Sequence, residues 1–313
     1  MLKRMLCLLL VLLLVPFAAC AQEPEENKIS VIATLFPQYD FARQIGGEHV
    51  EVTMLLPSGT ESHSYEPTPR DMAAIQSAGL FVYTGEEMEP WAATILSAID
   101  QSRLVVVNAS QGVELVSESH EHEEDDHEEH VDEEGHQHEL DPHIWLDPTL
   151  AAVMVENICQ GLCQADPDHA DEYQANAQAY TEKLMELDAA YQEMVASAQR
   201  SFLVFGGRFS YGYLIRRYGL TYDCAYDSCS SASEPSVKVM ASLIQEIIEN
   251  HIPAVYHEEL ASTTVTDALC EQTGAKKLLL HSAHNLSAEE MAQGLTYLDI
   301  MYMNLENLRE GLN

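Results

Sequence analysis

Basic residues are scarce in this chain. Lys and Arg number 15 against 51 Asp and Glu, a formal net charge of −36 over 313 residues. Without a basic face there is nothing to displace counterions from a phosphate backbone, so nucleic acid is a poor partner and a cationic ligand fits better. After the first twenty residues no apolar run is long enough to cross a bilayer, which places the body of the chain outside the membrane. No His-Glu-x-x-His motif occurs, the helical pattern that sets a general base beside a zinc-bound water. Glu66, three residues after His63, is the only tempting base, and its neighbour Pro67 suits a loop better. A secreted zinc hydrolase is therefore disfavoured. Cysteine is also sparse: beyond Cys7 and Cys20 stand only Cys159, Cys163, Cys224, Cys229 and Cys270. Five is odd, the spacings are not those of a zinc ribbon, and no disulfide pattern follows from them.

The first twenty residues read as a targeting segment. Lys3 and Arg4 give the positive flank, Leu6 to Val15 the apolar core, and Phe17-Ala18-Ala19 the small-residue approach to Cys20. A cysteine after Ala-Ala resembles the bacterial lipobox, which implies a lipid on Cys20 and an anchor on the outer face of the cytoplasmic membrane. Phe17 departs from the usual leucine, so secretory cleavage into the periplasm without lipidation is the alternative. Residues 21–27 form a polar tether.

From Lys28 the pattern alternates. Strand-like runs at 28–35, 50–56, 80–83 and 104–107 are separated by helix-like runs at 37–44, 70–77 and 90–100. Alternation of this kind implies parallel strands with crossover helices. A second set follows, with strands at 202–205, 220–225, 254–256 and 277–280 and a terminal helix over 287–312. The predicted organisation is an α/β lobe over 28–165, a linking helix over 166–200 and a second α/β lobe over 201–313. Apolar spacing along 166–200 looks too irregular for a coiled coil. Both sheets are expected to be mainly parallel, with ligand groups gathered beyond their carboxyl ends.

The stretch from Glu118 to Pro148 has two parts. Residues 118–139 mix six histidines (His120, His122, His127, His130, His136, His138) with twelve carboxylates and nothing apolar except Val131. Such a segment cannot offset its ordering entropy and is expected to be a solvated, disordered loop that binds cations weakly. It then gives way to Asp141-Pro142-His143-Ile144-Trp145-Leu146-Asp147-Pro148, apolar and bracketed by proline.

That segment and Gly59-x-x-x-His63-x-Tyr65-Glu66-Pro67-Thr68-Pro69 together resemble the cluster A-I solute-binding proteins of zinc and manganese ABC importers. The likeness extends over the mature chain, including the His-rich acidic loop and the ending from Thr296-Tyr297-Leu298 to Leu312. It implies two α/β lobes joined by one long rigid helix, a metal held between them, delivery to an ABC permease, a monomer, and no catalysis or resident cofactor. His63 and His143 match two metal ligands of the family. The third ligand position, counted back from Tyr213-Leu214-Ile215-Arg216-Arg217-Tyr218-Gly219-Leu220, falls on Arg208, which stays protonated and cannot ligate. It is expected to turn away, paired with Glu234 or Glu258. The family's last ligand aligns with His281, and His284 shares its turn, so both stand as metal candidates. His257, Glu258, Glu259 and Cys229 are lesser ones. An imidazole-rich set favours zinc over manganese, which prefers carboxylate oxygen. The alternatives are a manganese-specific member of the family and a surface metal-buffering or adhesin protein.

Overall fold

The computed structural model describes residues 28–63, 65–117, 140–226 and 235–313. The leader with Cys20, the tether, the loop over 118–139, Cys229 and Glu234 lie outside the described residues.

Two four-stranded sheets form, and every pairing within them is parallel. In the first, β1 (Ile29–Ala33), β2 (Val50–Met54), β3 (Leu80–Tyr83) and β4 (Val105–Asn108) lie in the order β2-β1-β3-β4. The second has β5 (Phe202–Phe205), β6 (Thr221–Cys224), β7 (Ala254–His257) and β8 (Lys276–Leu279) in the order β6-β5-β7-β8. The two lobes therefore share one topology. Helices cover both faces of such a sheet, so its inner strands must be apolar on both sides. All four residues of β3, Leu-Phe-Val-Tyr, are buried accordingly.

The expected linking helix begins later than its sequence suggests. Pro167–His169 make a single 3-10 turn, and the α-helix runs Ala170–Ser197, 28 residues, or about 42 Å. Its buried residues are Tyr173, Ala177, Tyr180, Leu184, Leu187, Tyr191 and Met194, with Asp188 beside them. The seven apolar ones recur at alternating steps of four and three. The expectation of irregular spacing is thus corrected: the stripe is regular, but it packs into this chain's own core. Tyrosine and alanine make up four of its seven positions, which hid the period. The single terminal helix also divides, into Ala288–Gln293 and Tyr297–Gly311. Gly294, left-handed at φ +72°, ends the first, and Thr296 caps the second through reciprocal bonds with Asp299.

One continuous apolar cluster unites the lobes, from Val31 and Leu80 through Trp145 and Tyr191 to Phe205, Tyr256 and Leu308. Hydrogen bonds stitch the same seam. Trp145, fully buried, donates its indole N–H to the Ser282 carbonyl at 2.8 Å, and the Tyr297 hydroxyl donates to the Trp145 carbonyl. Arg217 grips Asp188 with two bonds of 2.9 and 2.7 Å. Asp40, 1% exposed, accepts from the Tyr297 N–H at 2.9 Å and the Tyr180 hydroxyl at 3.3 Å. Burial raises its pKa against those bonds, so accepting geometry matters more here than charge. Asp40→Ala is expected to cost about 1–3 kcal/mol by orphaning two buried donors, and Asp40→Asn distinctly less. Urea midpoints of the two variants check this; equal losses contradict it.

Candidate metal centre

Proline and carboxylate groups fix the two histidines of the first lobe. Asp141 Oδ1 accepts from the His143 backbone N–H at 2.9 Å and from His143 Nδ1 at 2.6 Å. A carboxylate only accepts, so the Nδ1 proton is held there and Nε2 keeps its lone pair for a metal. Asp147 then caps the helix Pro148–Ala165, accepting from the Thr149 N–H at 2.7 Å with Pro148 at its first position. Gly212 closes on Asp141 from the second lobe; a Cβ there would lie 2.5 Å from Asp141 Oδ2. A side chain at 212 would displace the carboxylate that orients His143.

His63 lies in the loop between β2 and the helix Pro69–Ser77. Glu61 Oε1 accepts from its backbone N–H at 2.8 Å, and Asn285 fastens the loop from the second lobe by donating to Pro57 O at 2.8 Å and Thr60 O at 2.9 Å. The turn carrying His284 is held in return, through Phe36 N–H to His284 O at 3.1 Å and Gly59 N–H to Leu286 O at 2.8 Å.

His63, His143 and His284 come together. Each offers a ligand nitrogen within 4.8 Å of the other two, and no further His, Cys, Asp or Glu among the described residues joins this group. Ring centroids lie 5.6 Å apart for His63 and His143, 5.2 Å for His63 and His284, and 4.7 Å for His143 and His284. Nε2 of all three is buried and lacks a hydrogen-bond partner within the protein. Three orphaned nitrogens converging on one point would each cost about 1–3 kcal/mol, and a cation with a preference for nitrogen satisfies all of them. Burial, followed by the neighbouring His143, pushes the His63 pKa down to about 4; Arg208 adds to the depression and Glu61 opposes it. His284 is driven well below the usual imidazole value by burial and by His143, His63 and His281. Both rings are therefore neutral at physiological pH, the form that ligates.

The other candidates are placed elsewhere. His281 stays outside the group. Ala283, between the two histidines, is left-handed at φ +59°, and of the pair only His284 joins the group. His281 points inward: its backbone N–H donates to Asn304 Oδ1 at 2.7 Å, and its Nδ1 accepts from the Ala283 N–H at 2.9 Å. Its Nε2 lies 3.7 Å from Glu290. His257 Nδ1 faces the Glu258 carbonyl at 3.0 Å.

Arg208 pairs with Glu61, at 3.7 Å, rather than with the expected Glu258, and it lies near enough to His63 to depress that ring's pKa. Glu258 lies near enough for the guanidinium to lower its pKa, but burial and Glu259 outweigh that and leave it well above the carboxylate range. Glu61, Arg208, Glu258 and Glu259 line a cavity of about 310 Å³ that opens beside His63 and His284. It is bounded by the loops after β2, β5, β6, β7 and β8, at the carboxyl ends of strands from both sheets. Cys159, Cys163 and Cys270 are free thiols, and neither they nor Cys224 join the histidine group.

Two parallel α/β lobes sharing one core and one long helix, with an imidazole cluster at their seam, define a cluster A-I solute-binding protein. The chain belongs to the ZnuA family: the family described as zinc-uptake complex component A, periplasmic, matches residues 31–311. It is 38% identical over 287 residues to the high-affinity zinc uptake system protein ZnuA of Bacillus subtilis, covering 91% of this chain and 88% of that one. The zinc-binding lipoprotein AdcA of Streptococcus pneumoniae is 36% identical over 310 residues, 98% of this chain but 61% of its own length. Among solved structures, the metal-dependent lipoprotein YcdH from Bacillus subtilis superposes with a TM-score of 0.77 at 35% identity, covering 91% and 99% of the two chains. The Zn(II)-bound ZnuA-like domain of Streptococcus pneumoniae AdcA gives 0.76 at 31% identity, with the same coverage. No helix among the described residues is long and apolar enough to cross a membrane.

Proposed function

We propose that this protein captures a zinc ion outside the cytoplasmic membrane through His63, His143 and His284 and delivers it to the permease of an ABC importer. The carrying observation is the convergence of three buried, unpartnered imidazole nitrogens with no carboxylate among the described residues in their group. Nitrogen ligation of that kind suits zinc, whereas manganese prefers oxygen. Family membership supports transport over catalysis, and no enzymatic step is assigned. The lipobox-like approach to Cys20 supports a lipid anchor on a monomer, with secretion into the periplasm as the alternative to lipidation. Titration with zinc and manganese in competition tests the reading: one tight zinc equivalent is expected, and a preference for manganese overturns it.

The His- and acid-rich segment over 118–139 is proposed to gather zinc without forming the tight site. Its flanks are already joined. Ser117 and Leu140 pair across an antiparallel bridge, and the Asp141 N–H donates to Val116 O at 2.8 Å. Excising 118–139 and closing the gap with a short glycine link is expected to leave the tight equivalent and the unfolding midpoint unchanged. Calorimetry should then lose only weak additional zinc binding. Loss of the tight equivalent would make the segment a source of ligands.

A further inference from the structure

His143 receives its orientation directly from Asp141, but among the described residues no carboxylate bonds to His284. Instead a hydroxyl stands between. His284 Nδ1 lies against Ser282 Oγ, and Ser282 Oγ lies 2.5 Å from Glu259 Oε1. The second carboxylate oxygen, Glu259 Oε2, accepts from the Ser282 backbone N–H at 2.7 Å and sits 3.4 Å from His281 Nδ1. Ser282 is 1% exposed and its carbonyl is fastened by the Trp145 indole, so the hydroxyl cannot swing to solvent. We infer that Glu259 and Ser282 form a proton-orienting relay that fixes the tautomer of His284 and so presents Nε2 to the metal. The inference rests on the proposed function, since it treats His284 as a ligand.

The direction of the relay follows from donor and acceptor counting. A carboxylate has no proton to give, so Ser282 O–H must donate to Glu259. The oxygen of that hydroxyl then has only lone pairs to offer His284, and Nδ1 must be the protonated nitrogen. Nε2 is left bare, facing His63 and His143. The opposite tautomer would aim an N–H into the cluster and block coordination. Glu259 and Ser282 are thus positioning residues acting through His284.

Glu259→Gln is the discriminating variant because it changes neither volume nor reach. The Ser282 N–H still needs an acceptor, which the glutamine oxygen supplies, so the amide NH2 faces Ser282 Oγ and donates to it. Ser282 O–H must then donate to His284 Nδ1, and the imidazole proton moves to Nε2. Ser282→Ala removes the link and leaves both tautomers populated. The experiment is long-range proton–nitrogen NMR of histidines in the metal-free full chain, with His284 assigned by its loss in His284→Asn, together with zinc titration against a competing chelator at pH 7. Wild type should carry the His284 proton on Nδ1, and Glu259→Gln should carry it on Nε2. Zinc affinity of Glu259→Gln should fall about 10–100-fold, the scale of outer partners of metal ligands, with Ser282→Ala in between. A proton on Nε2 in wild type overturns the inference, as does an unchanged tautomer and affinity in Glu259→Gln. The NMR readout requires no metal. A wild-type chain that binds no zinc at all would therefore defeat the proposed function without deciding the tautomer.

Discussion

His284→Ala is expected to weaken zinc binding by more than the ~100-fold upper end seen when only a supporting partner of a ligand is lost. It removes one of three nitrogens that converge within 4.8 Å of one another. His281→Asn should leave zinc affinity little changed, although the two histidines are three residues apart. An asparagine oxygen can replace the His281 nitrogen that accepts the Ala283 N–H, so the turn is kept. What the variant loses is packing and the charge interaction with Glu290, which should appear as a lower unfolding midpoint. Chelator-competition titrations and thermal melts on both variants separate the roles. Strong loss of zinc in His281→Asn with none in His284→Ala would reverse the assignment.

Acid should destabilise the metal-free protein through the same cluster. His63 is held down to about 4 and His284 well below the usual imidazole value, in each case mainly by burial. The unfolded chain regains ordinary imidazoles near 6.5. Between that value and the folded ones, the unfolded state binds more protons than the folded state, so stability falls as pH drops. Each such group contributes a slope of up to about 1.4 kcal/mol per pH unit. The window opens near pH 6.5 and, for His63, closes near 4. Many surface carboxylates titrate in the same range, so the comparison is with a His63→Gln, His284→Gln double variant, in which this contribution is missing. Urea unfolding at pH 7 and pH 5 should show wild type losing more stability than the double variant. Equal losses would mean the rings are not held neutral by the fold. Bound zinc should be released over the same interval as protons compete for the nitrogens.

Much of this was legible in the residues themselves. The parallel α/β lobes follow from strand-like and helix-like runs in alternation, and the buried β3 run Leu80–Tyr83 is what a doubly covered sheet requires. The loop positions of His63 and His143 could be read from the prolines and turn residues around them. The choice between His281 and His284 could not, because it depends on one backbone dihedral. A left-handed Ala283 has no signature in sequence. The partner of Arg208 was equally hidden, since Glu61 and Arg208 lie in different lobes. By contrast, the break in the terminal helix had a readable cause in Gly294 followed by Thr296 and Asp299, a stop and a start that the apolar period alone obscures. The relay through Ser282 was beyond reach because Glu259 sits 23 residues from the serine it holds.

The most direct measurement is a crystal structure of the zinc-loaded protein with anomalous scattering recorded on both sides of the zinc edge. The expected result is a single strong peak bonded at about 2.0–2.1 Å to Nε2 of His63, His143 and His284, with His281 still turned toward Glu290. A peak ligated by His281, or one that lacks any of the three converging histidines, would contradict the assignment of the site.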